Sequence, residues 1–203
     1  MTNKKLPELL APAGSYSAFV AAVSSGADAV YMGGARHNAR IGAKNFTEEE
    51  LKRAIGEAHL YNKKVYMTVN TLVTDRELPE VLDYVNELLT LGADALIVQD
   101  LGLISAIREV FPTAEIHAST QCVTHSLDGV KKLADMGVSR AVTARELDRE
   151  NLALICRESP IEIEAFVHGA LCVCHSGAWL FSSIVGGRSG NRGECAQPCR
   201  LPY

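Results

Sequence analysis

The chain carries the hexapeptide SGADAV at residues 25–30 and a near copy, LGADAL, at residues 91–96. A looser third copy, MGVSRA, occupies residues 136–141. In each copy a helical pattern ends at a glycine, a short turn follows, and a run typical of a buried strand begins. The repeat therefore predicts that helices and parallel strands alternate along the chain.

Seven strand–helix units can be traced in this way. Apolar runs predict strands at residues 9–12, 29–32, 64–69, 95–98, 115–118, 140–143 and 161–167. Helical spacing predicts helices at residues 15–25, from 47 onward, and at 78–91, 101–111, 127–136 and 147–157. Because no long segment interrupts the alternation, the pattern favours an α/β TIM-like (βα) barrel over an open sheet.

The predicted barrel is incomplete. An eight-fold barrel usually needs about 250 residues, whereas this chain has 203. We expect a barrel core at residues 1–168 and a Cys/Gly/Arg-rich segment at residues 169–203 that lies over the C-terminal face. An eighth strand would then lie beyond Tyr203, at an expected truncation point.

Composition restricts the class of partner and the compartment. The net charge is −4 and the isoelectric point is about 5.9, so RNA binding would require a local basic patch rather than global attraction. No signal-peptide pattern and no membrane-length apolar stretch is evident. We expect a cytoplasmic protein with reduced thiols, in which clustered cysteines indicate a metal, redox chemistry or a nucleophile.

Four cysteines lie close together near the end of the chain, at Cys172, Cys174, Cys195 and Cys199. Four thiolates can hold an iron–sulfur cluster or a tetrahedral zinc ion. The alternative is that they are reduced and idle. Cys122 and Cys156 are expected to be small buried side chains.

Several polar residues are expected at the carboxyl ends of the strands, where barrels of this type carry their reactive groups. The catalytic candidates are Gln121, Arg145, Glu146 and His168. An Arg145–Glu146 surface pair is the alternative for two of them. His175 is either a ligand or proton carrier, or a solvent-facing loop residue.

Three arginines lie among glycines in the terminal segment, at Arg188, Arg192 and Arg200. Guanidinium groups and backbone amides in such a loop can bind a phosphate or a carboxylate. We therefore expect these arginines to bind a small carboxylate co-substrate or an RNA backbone. The alternative is a solvated loop.

Several motifs, in order, resemble those of the U32 peptidase family. They are ELLAPAG at residues 8–14, DAVYMGG at 28–34, HASTQ at 117–121, ARELDRE at 144–150, EAFVHGALC at 164–172 and GGRSGNRGECAQPCRLPY at 186–203. The terminal motif is most similar to the branch that hydroxylates tRNA uridine. The resemblance implies RNA hydroxylation with a 4Fe-4S iron–sulfur cluster and prephenate as co-substrate, and a related U32-family subunit as a further partner.

The resemblance also implies positions for the cluster ligands. The first falls on Cys172 and the third on Cys195, whereas the second falls on Trp179, which is not a ligand. The fourth lies beyond the given sequence. Cys174 and Cys199 are close enough to substitute.

The sequence is also compatible with other functions. The family name implies a collagenase-like peptidase, although the sequence has no H-E-x-x-H and no G-x-S-x-G. The resemblance also implies hydroxylation of ubiquinone precursors as an alternative. A further alternative is a non-catalytic RNA- or partner-binding subunit with a structural metal site, zinc included.

Overall fold

The structure is a computed structural model that describes residues 6–39, 44–169, 172–178 and 180–202. Two of the expectations concern residues outside these ranges. One is that Trp179 occupies a cluster-ligand position, and the other is that the chain is truncated at Tyr203. In the described residues, the strands are β1 (Leu10–Ala13), β2 (Ala29–Met32), β3 (Lys64–Val69), β4 (Ala95–Val98), β5 (Ile116–Ala118), β6 (Arg140–Val142) and β7 (Glu162–Glu164). The helices are α1 (Tyr16–Ser24), α2 (Glu48–Leu60), α3 (Leu78–Thr90), α4 (Leu101–Val110), α5 (Leu127–Asp135), α6 (Arg149–Glu158) and α7 (Phe181–Gly186).

The sheet has the topology that the alternating pattern predicts. Its strands follow the order β1 to β7, and every neighbouring pair is parallel. A helix connects each strand to the next, so the sheet curls with helices outside it. The TIM-like (βα) fold is confirmed, with seven strands in a curled, incomplete barrel within the described residues.

The repeated glycines end helices as the sequence indicates. Gly26, Gly92 and Gly137 have φ values of +94°, +99° and +83°. This left-handed conformation is readily available to glycine and closes a helix before the next turn. A capping box formed by Thr47 and Glu50 begins α2, at the residue where the sequence predicts that helix to start.

Apolar side chains pack on both faces of the sheet. The larger cluster fills the space between sheet and helices, with Val65, Met67 and Leu88 among its buried members. A smaller cluster inside the curl contains Tyr66 and Ile97. The alternation of Val65, Tyr66 and Met67 follows the two-residue period of a strand that is buried on both faces.

An ionic network closes the amino-terminal end of the curl. Arg140, at the start of β6, donates to Glu8 Oε1 over 2.8 Å, and Tyr66 donates to the same oxygen over 2.7 Å. Burial alone would raise the pKa of Glu8, but these two hydrogen bonds hold it below its ordinary value. Glu8 therefore lies at the end of the barrel opposite to the catalytic candidates.

Two details differ from the sequence prediction. β7 ends at Glu164 instead of residue 167, because β6 turns away after Thr143, whose N–H donates to the Glu164 carbonyl. The prediction that Cys156 is buried is wrong, since it lies exposed on α6, whereas Cys122 is partly buried. No helix in the described ranges has both the length and the apolar character needed to cross a membrane.

Candidate functional site

A cavity of about 240 Å³ opens at the carboxyl ends of the strands. Residues from β1, β2, β3, β4, β6 and β7, and from the loops after β1, β2, β3, β5 and β7, form its wall. The members that matter for recognition are Tyr31, Asn70, Ser119, Gln121, Glu164 and Phe166. The cavity lies on the face where the catalytic candidates were predicted.

Gln121 belongs to the wall of this cavity, and its carboxamide is buried within that wall. It lies in the short 3-10 helix Thr120–Cys122, and its backbone N–H donates to Ser119 Oγ over 3.3 Å. Its residue is 3% exposed, yet among the described residues neither its Oε1 nor its Nε2 has a hydrogen-bond partner. A buried polar group without a partner costs about 1–3 kcal/mol, which favours a ligand that satisfies it.

Glu164 adds a carboxyl group to the same wall. Burial raises its pKa above the ordinary value, and the Arg140 guanidinium, 3.6 Å from Oε2, offsets only part of that effect. This residue ends β7 and was not among the sequence candidates. Its position as the last residue of a strand is the signal that could have indicated it.

The first half of the cysteine segment docks on the loop after β6. Arg145 donates from Nε to Ser176 Oγ over 3.2 Å and from Nη2 to the Cys174 carbonyl over 3.2 Å. The Ser176 N–H donates to Glu146 Oε1 over 2.7 Å, and Ser176 is fully buried. Gly177 packs against the backbone of Gln121. Residues 172–178 therefore lie beside the cavity, on the face where the segment was expected.

Arg145 and Glu146 thus share a partner instead of pairing with each other. No ion pair within 4.0 Å joins them in the part of the chain that the structure describes. Burial acts to raise the pKa of Glu146, but hydrogen bonding to Ser176 and the Arg145 charge bring it below the ordinary value. The surface pairing considered for these two residues is not formed.

The four thiols share one neighbourhood. Burial raises the pKa of the Cys174 thiol, and Cys172, Cys199 and Cys195 raise it further through their negative charge when ionised. The Gln197 N–H donates to Cys195 Sγ over 3.4 Å, a contact of the kind that tunes metal-bound sulfur.

The distances among the four sulfur atoms can be compared with those that a single metal ion requires. No three of the four sulfur atoms, all within the described residues, lie within 4.8 Å of one another. A tetrahedral zinc ion with Zn–S bonds of about 2.3 Å needs sulfurs about 3.8 Å apart. A cluster places several iron atoms between its thiolates and requires wider spacing. The four sulfur atoms would therefore have to approach one another to hold a zinc ion.

The predicted arginines occupy different environments. Arg192 binds both carboxylate oxygens of Glu77 and donates to the Leu72 carbonyl over 2.9 Å, so its guanidinium fixes the terminal segment to the loop before α3. Arg188 and Arg200 are exposed, as is His168. The binding and catalytic roles assigned to these four residues stay predictions.

These features define a (βα)-barrel protein whose open face carries a polar cavity and a thiol-bearing segment. The family model described as Peptidase family U32 matches residues 14–203. The chain belongs to this family.

Its relatives include proteins that modify RNA. It is 42% identical over 200 residues to 23S rRNA 5-hydroxycytidine C2501 synthase of Escherichia coli, covering 97% of this chain and 29% of that protein. It is 40% identical over 204 residues to tRNA hydroxylation protein P of Haemophilus influenzae, covering 100% of this chain and 44% of that protein. The chain therefore spans less than half the length of either relative.

A solved structure of the U32 peptidase Mk0906 shares the fold. Its TM-score is 0.67 at 13% identity, with 81% of this chain and 70% of that chain covered. At this identity the likeness establishes the architecture alone.

Proposed function

We propose that this chain acts in the hydroxylation of a pyrimidine base in RNA, with a tRNA uridine as the preferred substrate. The observation that carries the proposal is the buried carboxamide of Gln121, which has no partner among the described residues and belongs to the wall of a cavity beside the thiol-bearing segment. The names of the two RNA-modifying relatives support the same reaction class.

The cavity suits a single base. A carboxamide offers one acceptor and two donor hydrogens, which match the adjacent N–H and carbonyl groups on the edge of uracil. Enzymes that modify a base extrude it into a small pocket and recognise that edge. The volume of about 240 Å³ lies below the range of about 300–1,000 Å³ typical of drug-sized ligands.

The charges of the cavity lining favour a neutral base over a carboxylate co-substrate as the ligand of the cavity. Among the described lining residues, Glu164 carries the only carboxyl group, and none is lysine or arginine. A neutral base is therefore better suited to the cavity than an anion. We propose that a prephenate-like co-substrate binds beside the cavity at Arg145, whose guanidinium donates to two neutral acceptors, and that the exposed Arg188 and Arg200 contribute to its binding.

The four cysteines of the terminal segment provide a site for redox chemistry. Cys172, Cys174, Cys195 and Cys199 would hold a 4Fe-4S cluster, which supplies one-electron transfer when bound. The shared neighbourhood of these thiols supports a common metal group, and among the described residues no three of their sulfur atoms are close enough for a preformed zinc site. All six cysteines are free thiols, as expected in the cytoplasm, which we propose as the location.

The cavity gives less support to a peptidase. Ser119 Oγ lies in its wall, but it accepts the Gln121 N–H, and no histidine is among the described lining residues. A serine nucleophile needs an adjacent general base. Hydroxylation is therefore the better-supported reaction.

Mass spectrometry of nucleosides tests the proposal. RNA from a deletion strain should lack a hydroxylated pyrimidine in its tRNA or its rRNA, and the wild-type gene should restore it. Gln121→Met should fail to restore it. Gln99→Met is the matched control, because Gln99 Oε1 is also buried without a partner but Gln99 does not line the cavity. An unchanged nucleoside profile in the deletion strain would contradict the proposal.

A further inference from the structure

A group of three metal-ligating side chains contains no residue of the cavity lining and none of the thiols. His125 follows β5, Glu146 follows β6, and His175 belongs to the cysteine segment. One ligand atom from each lies within 4.8 Å of the other two. His125 Nε2 is 3.7 Å from Glu146 Oε2, and His175 Nδ1 is 3.9 Å from Glu146 Oε1.

The outer contacts of this group are those that metal ligands use. His125 Nδ1 lies 2.9 Å from the Val123 carbonyl, a contact in which Nδ1 carries the proton and donates it. Its Nε2 then directs a lone pair towards Glu146. Glu146 in turn accepts the Ser176 N–H over 2.7 Å. Ligating histidines are typically oriented by a backbone carbonyl in this way, and ligating carboxylates are themselves hydrogen-bonded.

Distances and charges are compatible with a cation. Metal–ligand bonds of about 2.0–2.2 Å place ligand atoms roughly 3.0–3.5 Å apart. The two pairs with Glu146, at 3.7 and 3.9 Å, need to approach by less than an ångström, and the two imidazoles, within 4.8 Å of each other, by at most about 1.8 Å. The His175 side chain is 76% exposed and that of His125 is 40% exposed, which allows both rings to adjust. The positive charge of Arg145, which would repel a bound cation, is directed to Ser176 Oγ and the Cys174 carbonyl.

We propose that His125, Glu146 and His175 bind one divalent first-row transition-metal cation. Two imidazoles and one carboxylate form a ligand set that such metals take with coordination positions left open. The cation would join the loops after β5 and β6 to the cysteine segment. The site is separate from the proposed cluster and does not depend on the proposed function.

Binding of Mn²⁺ followed by electron paramagnetic resonance tests this site. Mn²⁺ is the suitable probe because nitrogen and oxygen ligands suit it, whereas thiolates select softer metals. The wild-type chain should bind about one Mn²⁺ and lose most of the free-ion signal. His125→Ala and His175→Ala should each weaken binding by at least about tenfold. Bound Mn²⁺ should also slow proteolysis of the cysteine segment.

A matched variant controls for general effects of removing a histidine. His59 Nε2 lies 2.9 Å from Asp94 Oδ2, and the His59 side chain is 41% exposed, but no second imidazole joins that pair in the described residues. His59→Ala should therefore bind Mn²⁺ like the wild type. An unaltered free Mn²⁺ signal with the wild-type chain, or equal affinity in the His125 and His175 variants, would overturn the proposal.

Discussion

Gly177 in the cysteine segment packs directly on the backbone of Gln121 in the cavity wall. A Cβ atom built on Gly177 would lie 2.4 Å from the Gln121 carbonyl oxygen and 2.5 Å from Val123 Cγ2. The φ value of Gly177 is +75°, a conformation that disfavours side chains. This position therefore requires glycine for two reasons, and it fixes the segment against the barrel.

Replacing Gly177 by alanine should displace the segment. Left-handed backbone costs an alanine about 1–2 kcal/mol, and overpacking adds about 1–3 kcal/mol. Gly187→Ala is the matched control, because Gly187 has a φ of +67° but no atom within 4 Å of the built Cβ. Chemical unfolding and the rate of thiol modification should show a larger loss of stability and faster labelling for Gly177→Ala. Equal effects in the two variants would contradict the close packing.

Replacing Gln121 by methionine should separate stability from function. Removing a buried carboxamide that has no partner should leave stability unchanged or raise it by about 1–2 kcal/mol. Formation of the hydroxylated nucleoside should fall at least about tenfold, because the base loses its recognition group. Thermal unfolding and nucleoside analysis measure the two effects. A strong loss of stability would indicate that the carboxamide has a structural partner.

Arg140→Ala should destabilise the barrel. The side chain donates to Glu162 over 3.0 and 2.6 Å as well as to Glu8. Removing it leaves Glu8 with only the more distant Lys64, 3.9 Å away, as a counter-charge, and a partly buried acceptor that loses its donor costs about 1–3 kcal/mol. Arg157→Ala, which breaks an exposed pair with Glu158, should change stability by about 0.5 kcal/mol or less. Urea unfolding of both variants checks the difference.

The contact between Arg192 and Glu77 should weaken on acidification. The Arg192 guanidinium, followed by hydrogen bonds from Thr74, holds the pKa of Glu77 well below its ordinary value of 4.5. Stabilisation from a lowered carboxyl pKa is present above that ordinary value and is lost as the pH falls towards the folded-state pKa.

Hydrogen exchange of residues 189–194, corrected for intrinsic rates, measures this effect. Arg192→Ala should reduce protection by up to about fivefold near neutral pH, and the difference from wild type should shrink below pH 4.5. Arg53→Ala, which removes an exposed pair on α2, should have no effect on this segment. A difference that grows on acidification would contradict the assignment.

Much of the fold could be predicted because local signals were strong. Gly26, Gly92 and Gly137 end three helices where the repeat places them, and Thr47 with Glu50 begins another. The prediction for β7 was too long because an apolar run was taken as strand. Pairing with β6 decides where β7 ends, and β6 turns away after Thr143.

The site was less accessible to sequence reasoning. The position of Gln121 and Arg145 at strand ends was sufficient to select them, because parallel strands end on one face. The empty hydrogen-bond capacity of Gln121 and the approach of His125 to Glu146 depend on three-dimensional packing. Their residues carry no spacing signal, so only the structure reveals them.

Photocrosslinking tests the central claim most directly, namely that an RNA base enters the cavity beside the thiol-bearing segment. A tRNA containing 4-thiouridine would be irradiated with the chain, and the crosslinked peptides identified by mass spectrometry. The account predicts crosslinks to the cavity wall near Gln121 and Phe166 that are lost in Gln121→Met and retained in Gln99→Met. Crosslinks confined to the outer helices, or unaffected by Gln121→Met, would contradict it.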